Sequence, residues 1–177
     1  LSLAYCRDHA VYILTDVVDE EVEVLLQKLF TKKITVFHNA KFDLAFLEYH
    51  FNFEFPRIED TMLMHYMLNE NPGTHGLKQL ALKHTKYGNY EQDLHNYIAD
   101  YCKRNGVLKS QFTWESIPFD VMQVYAAMDA AVTYELYELM LEALNKNPKL
   151  VKVYRDILIP GMLFLKDCQD NGVPFDR

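Results

Sequence analysis

Two carboxylates in this sequence stand where a negative charge needs a partner. Asp43 follows Asn39 by four residues, at the point where a short apolar run turns polar and then takes up helical spacing. Asp129 follows Tyr125 by four residues, with small residues between them. An acid among apolar neighbours is costly to bury unless it is hydrogen-bonded or coordinates a metal. Hard cations such as Mg²⁺ take oxygen ligands, so a divalent-metal site is one candidate chemistry for both acids.

The pattern around the first acid predicts a strand that runs into a helix. Ile34–Phe37 is apolar and β-branched, which indicates a buried strand, and Ala40–Phe51 has helical spacing. If Asn39 opens that helix, it shares one side of the first turns with Asp43. Such junctions lie at the carboxyl ends of strands in open α/β sheets, where ligands bind.

The second acid falls inside a predicted long helix. Pro118 is a good first-turn residue, and the helical pattern runs from there to about Asn145. Tyr125 and Asp129 share a face of this helix, because residues four apart are neighbours on a helix. A plain Tyr–Asp hydrogen bond at the helix surface is the alternative to a site, and the pair alone does not decide between the two.

Strands and helices alternate before a helical C-terminal third, which predicts an α/β fold. The other predicted elements are strands at Leu1–Cys6 and Ala10–Leu14; a helix capped by Asp16 or Asp19, with Val22, Leu25, Leu26 and Leu29 as its apolar stripe; helices at Met62–Leu68 (capped by Asp60), Gly76–His84 and Glu91–Lys103; and a helix over Lys149–Asp170 that Pro160 kinks.

Composition narrows the classes of function. The 177-residue chain has a net charge of −7, which argues against a module that binds duplex DNA through phosphate contacts alone. An enzyme that acts on nucleic acid stays compatible with this charge, because acidic ligands attract cations and the cations attract phosphate. The 12 Tyr and 11 Phe either fill the core or stack on bases.

Cysteine usage and hydropathy indicate the compartment. The three cysteines lie far apart and form no CxxC motif, which disfavours a zinc knuckle and fits a reducing compartment. No apolar run reaches transmembrane length, so no membrane partner is expected. The chain opens on Leu1 inside a predicted strand, and we expect it to be a piece of a longer protein.

Five short motifs follow one another along the chain. They are His38–Asp43, with the pattern Asn-x-x-x-Asp; Glu59–Leu63; His75–Ala81; Tyr125–Asp129, with the pattern Tyr-x-x-x-Asp; and Asp170–Asp176. In this order and spacing they resemble the 3'–5' proofreading exonuclease domain of family A (polymerase I type) DNA polymerases, of the DEDD superfamily and its tyrosine subgroup. The last motif resembles the passage from the exonuclease to the polymerase domain, and the likeness covers most of the chain.

The resemblance implies a fold and a division into domains. It implies a ribonuclease H-like exonuclease domain, with a mixed sheet flanked by helices and a helical C-terminal extension. Residues 1–147 would form the exonuclease-like domain, and residues 148–177 the helical start of a polymerase domain or a linker. The expected location is the cytoplasm of a bacterium or of a phage-infected cell.

The resemblance also implies the chemistry, which is two-metal hydrolysis of the terminal phosphodiester of single-stranded DNA with Mg²⁺ or Mn²⁺. Asp43 and Asp129 would be metal ligands. Tyr125 would orient the attacking water, since a phenol with a pKa of about 10 is a poor base at pH 7. His38, Asn39 and Phe42 would contact the 3' end, although a structural role is an equal expectation for each. The partners implied are a DNA 3' end and a polymerase domain of the same chain.

The chain departs from the family pattern at one motif. The family's first strand carries an Asp-x-Glu that supplies metal ligands, and no copy stands in that place. Asp19-x-Glu21 falls on a predicted helix start instead. We expect that the strand precedes Leu1, and that the chain as given binds metal weakly and turns over little or not at all. The alternatives are a catalytically inactive exonuclease-like module that binds single strands or supports a polymerase, and an unrelated nucleotide-binding domain, which the lack of GxGxxG and GxxxxGK[ST] disfavours.

Overall fold

The computed structural model describes residues 1–172 and has the predicted α/β character. The strands are β1 (Ser2–Cys6), β2 (His9–Tyr12), β3 (Thr35–Phe37) and β4 (Ile58–Asp60). The helices are α1 (Glu20–Lys32), α2 (Ala40–Phe51), α3 (Thr61–Leu68), α4 (Leu77–His84), α5 (Gln92–Asn105), α6 (Phe119–Asn145), α7 (Pro148–Val153) and α8 (Ile159–Asn171). Of the motif Asp170–Asp176, the last four residues lie outside the described part of the chain.

The strands form two separate pairs. β1 and β2 correspond to the first two predicted strands and run antiparallel, whereas β3 and β4 run parallel with Phe37 opposite Asp60. Both orientations of a mixed sheet therefore occur, but within residues 1–172 they lie in two sheets of two strands each. The expected buried strand is only half-buried, and Ile34 is exposed, because β3 pairs with one strand in the part of the chain that the structure describes. β4 was not among the strands predicted from the sequence.

Helix α1 corrects the predicted apolar stripe. Asp19 caps the helix as expected, and its side chain accepts a hydrogen bond from the Val22 N–H at 2.9 Å. Leu25 and Leu29 are exposed, and the helix is buried through Leu26 and the residue one turn later, Phe30. The line of contact therefore follows i, i+4 spacing, because α1 covers only a small aromatic cluster rather than a broad core.

The largest part of the core lies along the second half of α6. Its buried members come from α3, α4, α6 and the segment after α7, and they are Met64, Leu80, Ala81, Val132, Leu136, Met140, Leu144 and Tyr154. A smaller cluster joins the start of α2 to α8 through Ala40, Leu44 and Met162. The two clusters therefore support α6 and α2, the helices that carry the predicted site residues.

The C-terminal helix is interrupted rather than kinked. α7 and α8 are joined by a π-helical turn, Tyr154–Leu158, just before Pro160. Proline has no N–H to donate to the carbonyl four residues back, and the wider turn accommodates the missing bond. No helix among residues 1–172 is both long enough and apolar enough to cross a membrane.

Candidate active site

The first motif is anchored by the buried carboxylate of Asp60. It accepts backbone N–H groups from the start of α2, Ala40 at 2.8 Å and Asn39 at 3.3 Å. It also accepts those of Met62 and Leu63 at the start of α3, at 2.8 and 3.2 Å. The sequence predicted Asp60 as the cap of α3 alone. The parallel pairing of β3 with β4 brings it beside α2, so that one side chain fixes the starts of both helices.

Asn39 itself does not cap α2 through its side chain. Its backbone lies in the left-handed region with φ of 70°, a conformation that asparagine adopts more readily than most residues. The turn is supported by its N–H bond to Asp60. As a result the Asn39 side chain is left free of helix capping.

Asp43 lies on the first turn of α2, half-buried. Its pKa is raised from 3.8 to about 6, first by burial and then by the negative charges of Asp60 and Asp129. The structure therefore brings the acids of the two motifs into one electrostatic neighbourhood although 86 residues separate them in sequence. Excess negative charge of this kind is what a bound cation relieves.

Asp129 is held from two sides. The ammonium of Lys78 and the hydroxyl of Tyr90 both donate to its Oδ1. The tyrosine that donates to Asp129 is thus Tyr90. Within the described residues, Tyr125 does not make the Tyr–Asp hydrogen bond that was the alternative to a site. Lys78 also donates to the Tyr90 hydroxyl at 2.7 Å and lies 3.5 Å from a carboxylate oxygen of Glu91.

Tyr125 stands beside Asp129 at the edge of an aromatic group. The Lys78 ammonium lies 4.4 Å from the centre of the Tyr125 ring and 4.5 Å from that of Tyr90, and Trp114 packs with its ring centre 6.4 Å from Tyr125. Burial and the charge of Asp129 raise the pKa of the Tyr125 phenol. The phenol therefore stays protonated at neutral pH and can donate a hydrogen bond.

His38 has one ring nitrogen in the fold and one left over. The Thr61 hydroxyl donates to the Phe37 carbonyl at 3.0 Å, so it accepts from the His38 Nδ1–H at 2.9 Å. Nε2 is then an acceptor, and it is buried without a hydrogen-bond partner among the described residues. Burial lowers the pKa of His38, which keeps the ring neutral.

Phe42 points outward and is 69% exposed. Together with Asn39, Phe46 and Tyr49 it borders an open depression of about 480 Å³ on the outer side of α2. Of the six site residues predicted from sequence, Asp43, Asp129, Tyr125 and His38 are linked by charge or contact, while Asn39 and Phe42 form the adjoining rim.

The donor set fits part of a metal site. Asp43 and Asp129 supply carboxylate oxygens, the ligands that Mg²⁺ and Mn²⁺ take, and the raised pKa of Asp43 marks an uncompensated negative charge. Within residues 1–172, however, no group of three or more His, Cys, Asp or Glu side chains is arranged to hold a metal. The two acids thus fit a cation that draws further ligands from water, substrate or another segment.

Sequence reasoning missed the residues that hold Asp129. Lys78 lies in the motif His75–Ala81 but was not assigned a role, and Tyr90 lies in a stretch with no readable pattern. The available signal was a lysine near the start of a half-apolar helix, where a cation opposes the helix dipole and needs an acidic partner. Nothing in the sequence indicated that the partner was 51 residues away.

Comparison with known proteins identifies the family of this chain. Residues 1–145 match the family model described as 3'–5' exonuclease, and the chain belongs to this family, found in DNA polymerases of the A type. The DNA polymerase of Escherichia phage T5 is 41% identical over 98% of the chain, and that of Bacillus phage SP01 is 30% identical over 86%. DNA polymerase I of Pseudomonas aeruginosa is 29% identical over 82%. The chain spans 23%, 16% and 15% of the length of these relatives.

Proposed function

We propose that this chain removes 3'-terminal nucleotides from single-stranded DNA by two-metal hydrolysis and serves as the proofreading domain of a DNA polymerase. The observation that carries the proposal is the convergence of Asp43 and Asp129, each on a helix within the residues that match the family model. A ribonuclease H-like sheet, completed by a strand beyond the two pairs, belongs to the same proposal. So do the polymerase domain of the same chain and the cytoplasm of a bacterium or an infected cell, which rest on the relatives' names.

The residues have separate tasks in this proposal. Asp43 and Asp129 would hold Mg²⁺ or Mn²⁺, which when bound would activate a water and stabilise the leaving oxygen. Tyr125 keeps its proton and orients the attacking water through its hydroxyl, because its raised pKa makes it a poor base. In this proposal the carboxylates bind the metal ions, and the phenol orients the attacking water.

The 3' end would meet the rim beside these acids. His38 Nε2 accepts a hydrogen bond from a sugar hydroxyl, since it is a buried acceptor without a partner in the described structure. The exposed ring of Phe42 packs against the terminal base or sugar. Asn39 offers a side chain that helix capping does not use. None of these contacts reads base identity, as expected for an enzyme that removes any mismatched nucleotide.

The alternative is a catalytically inactive exonuclease-like module that binds single strands or supports a polymerase. The ion pair between Lys78 and Asp129, together with the absence of a three-acid cluster within residues 1–172, favours this alternative for the chain as given. Both functions share the strand-binding rim. They differ only in whether the acids gain the further ligands that hydrolysis needs.

Degradation of a 5'-labelled single-stranded oligonucleotide tests the proposal. The assay compares the chain as given with a chain extended at Leu1 by a strand that carries Asp-x-Glu. With Mg²⁺ or Mn²⁺, the extended chain should shorten the oligonucleotide from its 3' end one nucleotide at a time, and Asp129→Ala should slow this by more than about 100-fold. A 3'-phosphorylated oligonucleotide is the substrate control.

The outcomes separate the two functions. If both protein chains bind the oligonucleotide but neither shortens it, the inactive module is the correct function. An Asp129→Ala chain that degrades the strand at the parent rate would remove Asp129 from the site. The exposed Asp100→Ala on α5 serves as the matched control and should leave the rate unchanged.

A further inference from the structure

The ammonium of Lys78 makes more contacts than that of an ordinary surface lysine. Its side chain is 31% exposed, and it lies near the start of α4, reaching across to α6 and to the segment before α5. The ammonium contacts Asp129, the Tyr90 hydroxyl and Glu91, and it stands over two aromatic rings at 4.4 and 4.5 Å. A lysine that only solubilises a helix leaves its ammonium in water.

The contact with Asp129 uses the atom that a metal ligand offers. Lys78 and Tyr90 both donate to Oδ1 of this carboxylate. A divalent cation bound by Asp129 takes the same negative charge, so the cation and the ammonium cannot both keep close contact with it without mutual repulsion. Binding of the cation therefore requires the ammonium to shift away.

The surroundings provide a place for the displaced ammonium. Glu91 lies 3.5 Å away, and the faces of Tyr90 and Tyr125 attract a cation through their ring quadrupoles. A short movement toward Glu91 keeps the ammonium paired and in contact with the Tyr125 ring. Lys78 therefore has one carboxylate partner to lose and another to retain.

We propose that Lys78 is a positioning residue that acts as the internal counter-ion of Asp129. It neutralises this carboxylate until a divalent cation replaces it, and after displacement it stays against Glu91 and steadies the Tyr125 ring. Lys78 thereby sets the metal concentration at which Asp129 becomes a ligand. The inference rests on the proposed function, since it takes Asp129 to be a metal ligand.

Manganese binding to the chain tests the inference without any need for turnover. Isothermal titration and quenching of Trp114, the single tryptophan, follow binding of Mn²⁺ to the wild-type chain and to Lys78→Met. Lys78→Met should bind Mn²⁺ about three- to tenfold more tightly, because the competing charge is gone. Lys83→Met, an exposed lysine of the same helix, should bind as the wild type does. Lys78→Arg, which keeps the charge, should not bind more tightly.

A second measurement uses the wild-type chain and does not depend on the folding of Lys78→Met. In a chain labelled with ¹³C-lysine, Mg²⁺ should shift the Cε signal of Lys78, assigned from the Lys78→Arg spectrum, and leave that of Lys83 in place. KCl at equal ionic strength should shift neither signal. An unmoved Lys78 signal at saturating Mg²⁺ would overturn the inference even if Lys78→Met does not fold.

The failures are distinguishable. If Asp129→Asn weakens Mn²⁺ binding but Lys78→Met leaves the affinity unchanged and only lowers the melting temperature, Lys78 is a structural residue and the proposed metal site stands. If neither Asp129→Asn nor Asp43→Asn changes Mn²⁺ binding in the wild-type or the Lys78→Met background, the proposed metal site itself fails.

Discussion

At the scale of single residues, the site is built from charges that the fold does not fully compensate. Asp43 is the clearest case, because burial and two neighbouring carboxylates act on it in the same direction. Its pKa is about 6 in the folded chain against 3.8 as the reference value, so the folded state binds its proton more tightly than the unfolded state does. The contribution of this group to stability is therefore highest in acid and falls as the pH rises through about 4 to 6.

Asp43→Asn should consequently stabilise the chain above pH 7. Removing a carboxyl group whose pKa is raised to this extent relieves up to about 3 kcal/mol at pH 8 and about 0.5 kcal/mol at pH 4. Urea unfolding of wild type and variant at both pH values, without divalent metal, measures the difference. The exposed Asp100→Asn should show no such pH-dependent gain. An Asp43→Asn chain that is less stable than the wild type at pH 8 would contradict the assigned surroundings of Asp43.

At the scale of elements, Asp60 ties the two strand–helix units together. Asp60 accepts N–H groups from the starts of α2 and α3, and its own N–H donates to the Tyr154 hydroxyl at 2.9 Å. Loss of this carboxylate leaves the buried N–H of Ala40 unpaired at the start of α2, together with part-buried donors at the starts of both helices. The orientation of Asp43 on α2 depends on the same contact.

Asp60→Ala should therefore be much more harmful than the loss of an ordinary cap. We expect a loss of about 3 kcal/mol or more in the free energy of unfolding, since each unpaired buried donor costs about 1–3 kcal/mol. Asp19→Ala, which removes the exposed cap of α1, is the matched control and should cost about 1 kcal/mol. Equal losses in the two variants, measured by urea unfolding, would show that Asp60 caps α3 alone.

Local sequence patterns predicted the elements but not the contacts between them. Helix α2, helix α6 and the Asp60 cap were confirmed, because spacing, proline and capping side chains act within one or two turns. The pairing of β3 with β4 was missed, since three-residue strands carry too little alternation to read. The contacts of Asp129 with Lys78 and Tyr90 were missed for a different reason, namely that they join segments 51 and 39 residues apart.

For the site, too, the sequence predicted the residues but not the contacts around them. The motif order gave Asp43, Asp129 and Tyr125 together, and the structure brings the two acids into one neighbourhood. Their surroundings could not be predicted, because the tautomer of His38 depends on Thr61, and the raised pKa of Asp43 depends first on its burial and then on the charge of Asp60. Both dependences arise from the placement of β4 beside β3.

At the scale of the whole molecule, the last helices support the site from behind. Tyr154 is buried with its hydroxyl on the backbone of Asp60, and Met162 of α8 packs against Ala40 and Leu44 of α2. The family match ends at residue 145, and the sequence predicted a domain boundary after residue 147. The contacts across that boundary lead us to propose that residues 148–172 are structurally required by the exonuclease-like domain, whatever follows them in a longer chain.

Ending the chain at Asn147 should therefore cost about 4 kcal/mol or more, since burial of the Tyr154 and Met162 side chains contributes about 1.5–3 kcal/mol each and the hydrogen bond to Asp60 about 1 kcal/mol. Urea unfolding of the shortened and full chains measures the loss. Because the shortened chain could lose its fold altogether, two substitutions in the full chain locate the effect. Met162→Ala should cost about 2–3 kcal/mol, whereas Phe164→Ala, two residues on and exposed, should cost less than about 0.5 kcal/mol. A shortened chain as stable as the full one would show that the domain ends after residue 147 and does not need α7 and α8. Equal effects of the two substitutions would show that packing of α8 on α2 does not account for the loss of stability.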